Sequence, residues 1–400
     1  MSETIKESIE FLTQIHKAWN FTEQRAAIRI KPRRIVSYEY IGMKNKESQY
    51  LRALTNNTQT QILQFPLWHA QHLLNKIVYK SSNIIEVGQE NMWNFRDCIG
   101  VMLWQNDDVG GEYFDLQSIT ADGVLHLKKQ VPCDWPAHST VVVPVFWGIL
   151  QQEDSYVNLT SEHTNMVINV EFINRGLNVE LPESVNEYNY PRMTFNYAKN
   201  ANSDYLGREL FLMKPAWTDD LNANYARNAN RLDNDSGIIR YDLKSEDTIE
   251  VRSLKYNAIS RAEIQFLQRF FYRCRGALKG FYAPTWTHDV ELALDSISGN
   301  TLYTKFDLYF KYYQSNKLRK NLIIFFRDGT IQVLKIAGFS REGEYGKIFL
   351  DMPIKTPLIK SKIDMICFLC LYRLNSDKMI TDYETNDAAI FDFECIEVVE

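Results

Sequence analysis

The chain reads as a mainly β protein of the α+β class, and three observations carry that reading. Two stretches, Arg34–Trp68 (RIVSYEY…ESQYLRALTNNTQTQILQFPLW) and Arg252–Trp286 (RSLKYNA…AEIQFLQRFFYRCRGALKGFYAPTW), repeat one order: a strand, a short amphipathic helix, a turn, and an apolar segment ending Pro-x-Trp. Each is followed by short β-prone runs separated by Asp/Gly turn signals. The 22 Tyr, 22 Phe and 8 Trp favour pleated surfaces and wide contacts. Together these predict two tandem homologous β-barrel or sandwich modules, each with a short amphipathic helix, plus an N-terminal helix.

Taken in order, Thr4–Trp19 has Ile5, Ile9, Leu12 and Ile15 near helical spacing, which predicts an amphipathic helix and assigns residues 1–22 to an N-terminal helix and arm. The first module is expected over 23–180. It begins with EQRAAIRIKPRRIVSYEY, an extended arm broken at Pro32 and then a strand. A short helix follows at Glu47–Asn56, and QILQFPLW returns as an apolar segment. IIEV, GVMLWQ, EYFDLQSI, VLHLKK and STVVVPVFWGIL are the next strands, and MVINVEFI closes the module with a period of two.

Residues 181–237 are rich in Asn, Tyr and Asp, whose side chains compete with the backbone for local hydrogen bonds, so an irregular connecting segment is expected. It is too aromatic for a plain linker and should fold against one or both halves. The second module, 238–400, repeats the first with NLIIFFR, the Asp328-Gly329 turn, IQVLKIAGF, KIFLDMPI, Ile363–Leu374 and AIFDFECIEVV.

The net charge of −5 and the shortness of the basic runs Lys31–Arg34 and Lys317–Lys320 argue against a nucleic-acid backbone binder. The longest apolar runs, Val141–Leu150 and Ile366–Leu371, fall well short of the ~20 residues that cross a bilayer, so no membrane span is expected. The N-terminus is acidic and lacks an uncharged apolar stretch, which predicts a protein that stays where it is made. Six cysteines without framework spacing are expected to be buried thiols in a reducing compartment.

No catalytic, cofactor-binding or metal residue is expected, and the chain is read as a non-enzyme. His288-Asp289 would suit a base and its orienter, but the first copy offers His69-Ala70 and no nucleophile motif accompanies either. Asp233–Gly237 begins like a calcium loop, yet its twelfth position is Lys244 where a bidentate Glu is required. Neither GxxxxGK[ST] nor GxGxxG occurs, and the His and Cys show no zinc spacing. The residues singled out are structural anchors: Tyr38, Pro66 and Trp68 in the first copy, Tyr256, Pro284 and Trp286 in the second. A stacking platform for a sugar or base is the other reading of Pro66–Trp68 and Tyr282–Trp286. Beside Pro at strand ends, core plugs are the expectation, with both indoles buried.

The order Ala216-Trp217, Arg231-Leu232-Asp233, Ser236–Asp242 (SGIIRYD), then Arg273, Arg275-Gly276 and FYAPTWTHDVEL resembles the minor tail and tail-tip proteins of long-tailed bacteriophages. EQRAAIRIKPRR, SYEY and FPLW in the first half resemble the matching N-terminal signature of that group. The departures are Tyr282-Ala283 before Pro284, and Thr58–Gln61 where the pattern has an Arg-Gly turn. The resemblance implies a virion structural protein of the tail tip, assembled in the host cytoplasm: a distal tail or baseplate ring component linking tail tube to hub or fibres. Its implied partners are its own copies, as a trimer with pseudo-six-fold symmetry or a hexamer, and other tail proteins (tube, tape measure, hub, fibres). The alternative is a tail-tip carbohydrate-binding, host-recognition module, with a cell-wall hydrolase behind it. The N-terminal helix and the arm Glu23–Pro32 are the segments expected to cross between copies.

Overall fold

The computed structural model describes residues 2–106, 110–120, 122–151, 155–160, 163–173, 204–217, 222–233, 235, 237–244 and 248–399. Strands make up 55% of the described residues and helices 13%, around an open antiparallel sheet. The first half runs β1 (Ser2–Lys17), β2 (Glu23–Lys44), α1 (Asn45–Thr58), β3 (Leu63–Pro66), β4 (His72–Leu73), β5 (Ile84–Glu86), α2 (Met92–Phe95), β6 (Gly100–Trp104), β7 (Gly111–Ile119), β8 (Val124–Leu127), β9 (Val141–Leu150), β10 (Ser155–Asn158) and β11 (His163–Phe172). Then come β12 (Asp204–Tyr205), β13 (Arg208–Glu209), β14 (Ala223–Ala226), β15 (Ala229–Leu232) and β16 (Arg240–Leu243). The second half runs β17 (Ile249–Ala258), α3 (Arg261–Cys274), β18 (Phe281–Pro284), β19 (Ser296–Thr304), α4 (Tyr309–Tyr313), β20 (Asn321–Phe326), β21 (Ile331–Glu342), β22 (Tyr345–Ile359), β23 (Ile363–Leu374), β24 (Lys378–Thr385) and β25 (Ala388–Glu397).

The two longest apolar runs became the strands with most neighbours. β9 carries β3 and β4 along one edge and β6 and β11 along the other. From β6 the ladder continues through β7 and β8 to β5, and β11 also pairs with β2 and β10. β23 carries β18 along one edge and β20 and β25 along the other. From β20 the ladder continues through β21 and β22 to β19, and β25 also pairs with β17 and β24. A strand hydrogen-bonded on both edges leaves no backbone group for water, so a continuous apolar run suits it. Each half has its own core: one gathers Val36, Phe95, Leu103, Val142 and Val170, the other Leu254, Phe270, Leu322, Phe368 and Phe391.

The expected N-terminal helix is overturned: Ser2–Lys17 is a strand. Ile5, Glu7, Ile9 and Phe11 turn inward while Lys6 and Leu12 are exposed, which is a period of two. β1 pairs with β2 along one edge and β24 along the other, so Ile5 stands between Tyr38 and Tyr383. It therefore closes a ladder between the halves, with Ile9 and Phe11 in the second core and Ile5 against the first. Fifteen residues paired with β2 outweigh a local helical preference.

β2 is likewise continuous where a break at Pro32 was expected. Glu10 faces Arg33 but Leu12 faces Arg29, so the intervening β2 residues bulge out, and there the missing proline N–H costs no ladder bond. The connecting segment is not irregular throughout. Residues 181–203 of it lie outside the described residues, but β14 pairs with β17, and β15 with β16. Leu210, Phe211 and Leu212 are buried against the second half, where the Phe211 N–H donates to the Tyr282 carbonyl at 2.8 Å and its ring stacks on Phe270 at 4.0 Å. Five cysteines are buried, and Cys133 is exposed, against expectation.

α3 has clear ends. The Ser260 hydroxyl accepts the Glu263 N–H and the Glu263 carboxylate accepts the Ile259 N–H, a variant of the capping box that reaches one residue before the cap. Arg275 and Gly276 leave it in the left-handed region, and a Cβ on Gly276 would sit 2.5 Å from the Asp377 carboxylate, so the Arg-Gly pair has a steric cause. The same carboxylate accepts the Ala277 N–H and the Thr13 hydroxyl, tying the end of α3 to β1.

Candidate functional site

The anchors fall at corresponding places but differ in surroundings. Pro66 ends β3 opposite Val145, and Pro284 ends β18 opposite Leu369. Tyr38 is buried and its hydroxyl donates to the Pro66 carbonyl at 3.2 Å, whereas Tyr256 is buried between Phe211 and Phe393. Trp286 is 1% exposed, has φ +56°, and stacks on Phe325 at 5.3 Å. Trp68 is half-buried, edge-on to Trp104 at 5.7 Å, so the expectation of two buried indoles fails for the first copy. Trp286→Ala should therefore cost about 3–5 kcal/mol, and Trp68→Ala well under half of that. Denaturant midpoints of the two variants check this, and equal losses would contradict it.

The densest polar centre lies where the halves meet, on β1. Glu7 is 1% exposed, at an inward position that a hydrophobic residue would normally take. The Arg34 guanidinium on β2 donates to one carboxylate oxygen. The other accepts from Gln268 on α3 at 3.1 Å and from the Tyr383 hydroxyl on β24 at 3.0 Å. His69 Nε2 stands 3.4 Å from the same oxygen, and its ring lies 4.3 Å from that of Tyr383. Gln268 in turn accepts from the Trp93 indole at 2.8 Å. Residues from both halves thus converge on one carboxylate.

Burial opposes the charge on Glu7, but Arg34 and His69 more than offset it and hold the carboxyl far below the usual range. Burial pushes His69 down despite Glu7, so the imidazole is neutral. Burial also raises the Tyr383 hydroxyl well above its ordinary value, so it stays a donor. Glu7 is saturated by these partners and acts as a fastener between the halves.

Above this centre is a cleft of about 280 Å³ lined by Ile5, Trp68, His69, Gln71, Tyr383, Glu384, Thr385 and Asn386. The first half supplies one wall and the β24–β25 turn the other. Arg261 at the start of α3 clamps the two, donating to the Gln71 carbonyl at 2.6 Å and standing 3.4 Å from the Asp387 carboxylate.

A second buried network lies inside the second half. Arg319 donates to Glu250 at 2.7 Å and to Glu397, and Arg252 also donates to Glu250. Burial pushes the Glu397 carboxyl up in spite of Arg319. His288 is exposed, while Asp289 accepts from Thr285, from Thr287 at 2.8 Å and from the Phe368 N–H at 2.8 Å, so the pair is not joined as base and orienter. Asp233 accepts from Arg231 at 2.5 Å and from the Asp235 N–H at 3.1 Å, an Asx turn. Among the described residues no cluster of three or more His, Cys, Asp or Glu could hold a metal.

Glu7, Gln268 and Tyr383 were not singled out by the sequence reading. The one available signal was a Glu at an inward position of the Ile5–Ile9–Phe11 alternation. Comparison with known protein families and with curated proteins finds no match to this chain.

Proposed function

We propose that the chain is a structural, non-enzymatic subunit of a bacteriophage tail tip, a distal tail or baseplate ring component. It is built from two homologous β-modules that β1 and Glu7 fasten together. The observation that carries the modular part is that five strands of each half pair with one another in the same way. β2, β3, β6, β9 and β11 stand to each other as β17, β18, β20, β23 and β25 do. The match extends to single bonds: the Leu67 N–H donates to the Pro144 carbonyl and the Thr285 N–H to the Phe368 carbonyl. Val101 faces Pro144 and Leu322 faces Phe368, which makes Trp104 the counterpart of Phe325. The pairs Trp68–Trp104 and Trp286–Phe325 are then one aromatic contact seen twice. The place in a phage tail rests on the sequence resemblance.

Assembly needs surface that one copy does not satisfy. β1 is no longer a candidate, because β2 pairs along its length and β24 takes the other edge over Ile5–Glu10. The β15–β16 hairpin takes its place. Leu232, Ile238, Tyr241 and Leu243 on it are exposed, Ile238 to 92%, and a lone two-stranded hairpin is marginal in water. Docking on a neighbouring copy in a closed heterologous ring would cover it. The expected result is a trimer, with a hexamer as the other ring solution, by mass photometry. Ile238→Asp combined with Ile239→Asp should release monomers. Wild-type protein that stays monomeric at micromolar concentration would refute the ring, and label elsewhere than the tail tip in gold-labelled particles would refute the location.

A further inference from the structure

We infer that the cleft between Trp68 and the β24–β25 turn is a binding site for one neutral pyranose residue of a glycan. The argument begins with His69. The residue lines the cleft although it is only 3% exposed, and neither of its ring nitrogens has a hydrogen-bond partner among the described residues. The Glu7 carboxylate 3.4 Å from Nε2 favours the tautomer with its proton on that nitrogen, which leaves Nδ1 an acceptor. A buried acceptor without a donor is unfavourable unless a ligand or water supplies one.

The remaining walls define what kind of donor. Gln71 and Asn386 carry amides that both donate and accept, the Thr385 hydroxyl does the same, and Glu384 accepts. Trp68, half-buried and set edge-on against Trp104, adds an indole to the lining. A ligand that fits has several hydroxyls around its rim and an apolar C–H face. That is the description of a pyranose ring. At about 280 Å³ the cleft lies just below the ~300–1,000 Å³ of sites for drug-sized molecules, so it takes one ring.

Electrostatics removes the charged alternatives. Arg34 and Arg261 both act on His69 with positive potential, which disfavours a cation at Nδ1. Their own carboxylate partners, Glu7 and Asp387, together with Glu384 in the lining, disfavour an anion. A neutral ligand meets neither penalty. Because Trp68, His69 and Gln71 come from one half and Tyr383–Asn386 from the other, a bound sugar also bridges the halves and should stabilise their junction.

The inference is independent of the ring: a tip subunit with an empty cleft still assembles, and mass photometry reads that separately. The test titrates the full chain with the methyl glycosides of glucose, galactose and N-acetylglucosamine, followed by saturation-transfer NMR, with sialic acid and choline as charged controls. At least one neutral glycoside should bind saturably in the millimolar range, as so small a ligand allows, and transfer saturation to its ring C–H groups. Asn386→Ala, a surface change that leaves the fold in place, should weaken it about tenfold, and Trp68→Ala should abolish the C–H transfer. Trp217→Ala, at an indole outside the cleft, should change nothing. No saturable binding by any neutral glycoside, binding by the charged controls alone, or binding that survives both cleft variants would overturn the assignment.

Discussion

Replacing Glu7 by Ala is expected to destabilise the protein by about 3–5 kcal/mol, with the loss concentrated at the junction of the halves. The substitution removes little apolar packing. What it leaves is Arg34, its side chain only 22% exposed, without a counter-ion, and Gln268 and Tyr383 with donors that have lost their acceptor. Hydrogen exchange should show amides of β1 and β24 opening first, since these strands pair across the junction. The pH dependence has a definite sign. The folded pKa of Glu7 lies below its unfolded value of 4.5, so its contribution is fully present above pH 4.5 and is lost as the pH falls toward the folded value. Glu7→Gln should flatten the acid limb of a stability–pH profile below 4.5. An unchanged midpoint and an unchanged acid limb would mean that the centre fastens nothing.

Arg319→Leu should cost at least as much, about 3–5 kcal/mol or more, and with the opposite response to acid. Arg252 still serves Glu250, so the group stranded is Glu397, 3% exposed and in contact with the Glu250 backbone N–H at 3.1 Å. The folded pKa of Glu397 is already raised by burial, so its favourable contribution is full below 4.5 and is lost as the pH rises through the folded value. Without Arg319 that rise steepens, and the deficit should shrink on acidification from pH 8 to about pH 5. Adding Glu397→Leu to the variant should recover much of the loss, because an apolar replacement of a buried ion pair is often neutral. If the variant's deficit is the same across that range, the stranded carboxylate is not its cause.

Strands such as β20, β21 and β25 were legible because each needs only local evidence: alternation or a continuous apolar run, closed by an Asp-Gly or similar turn. The Arg-Gly end of α3 was legible for the same reason. β1 was not, because Ile5, Ile9 and Leu12 fit i, i+4, i+7 as well as a strand, and Glu7 broke the inward alternation that would have decided between them. What makes Glu7 acceptable inside is Arg34, His69, Gln268 and Tyr383, contributed by four other segments, the last 376 residues away. No local rule reaches that far. The two Trp-bearing stretches read alike, but the difference in their burial was not legible, because it depends on whether the facing β6 or β20 position carries Trp104 or Phe325.

A strand hydrogen-bonded to both ends of a sequence imposes an order on how the chain matures. β1 and β2 can form their hairpin soon after synthesis, but the other edge of β1 must wait for β24. At about 5–20 residues per second the gap of 376 residues amounts to roughly 20–75 s. Throughout that interval the nascent first half presents an unpaired strand edge, and Ile9 and Phe11 have no core to enter. Such an edge is a template for pairing with another chain. The charged Lys6 and Glu10 along β1 then act as guards during synthesis as well as partners for Asp382 and Lys378 afterwards. The β24–β25 hairpin is the latch, and a chain arrested before it would hold one finished half beside an open sheet edge.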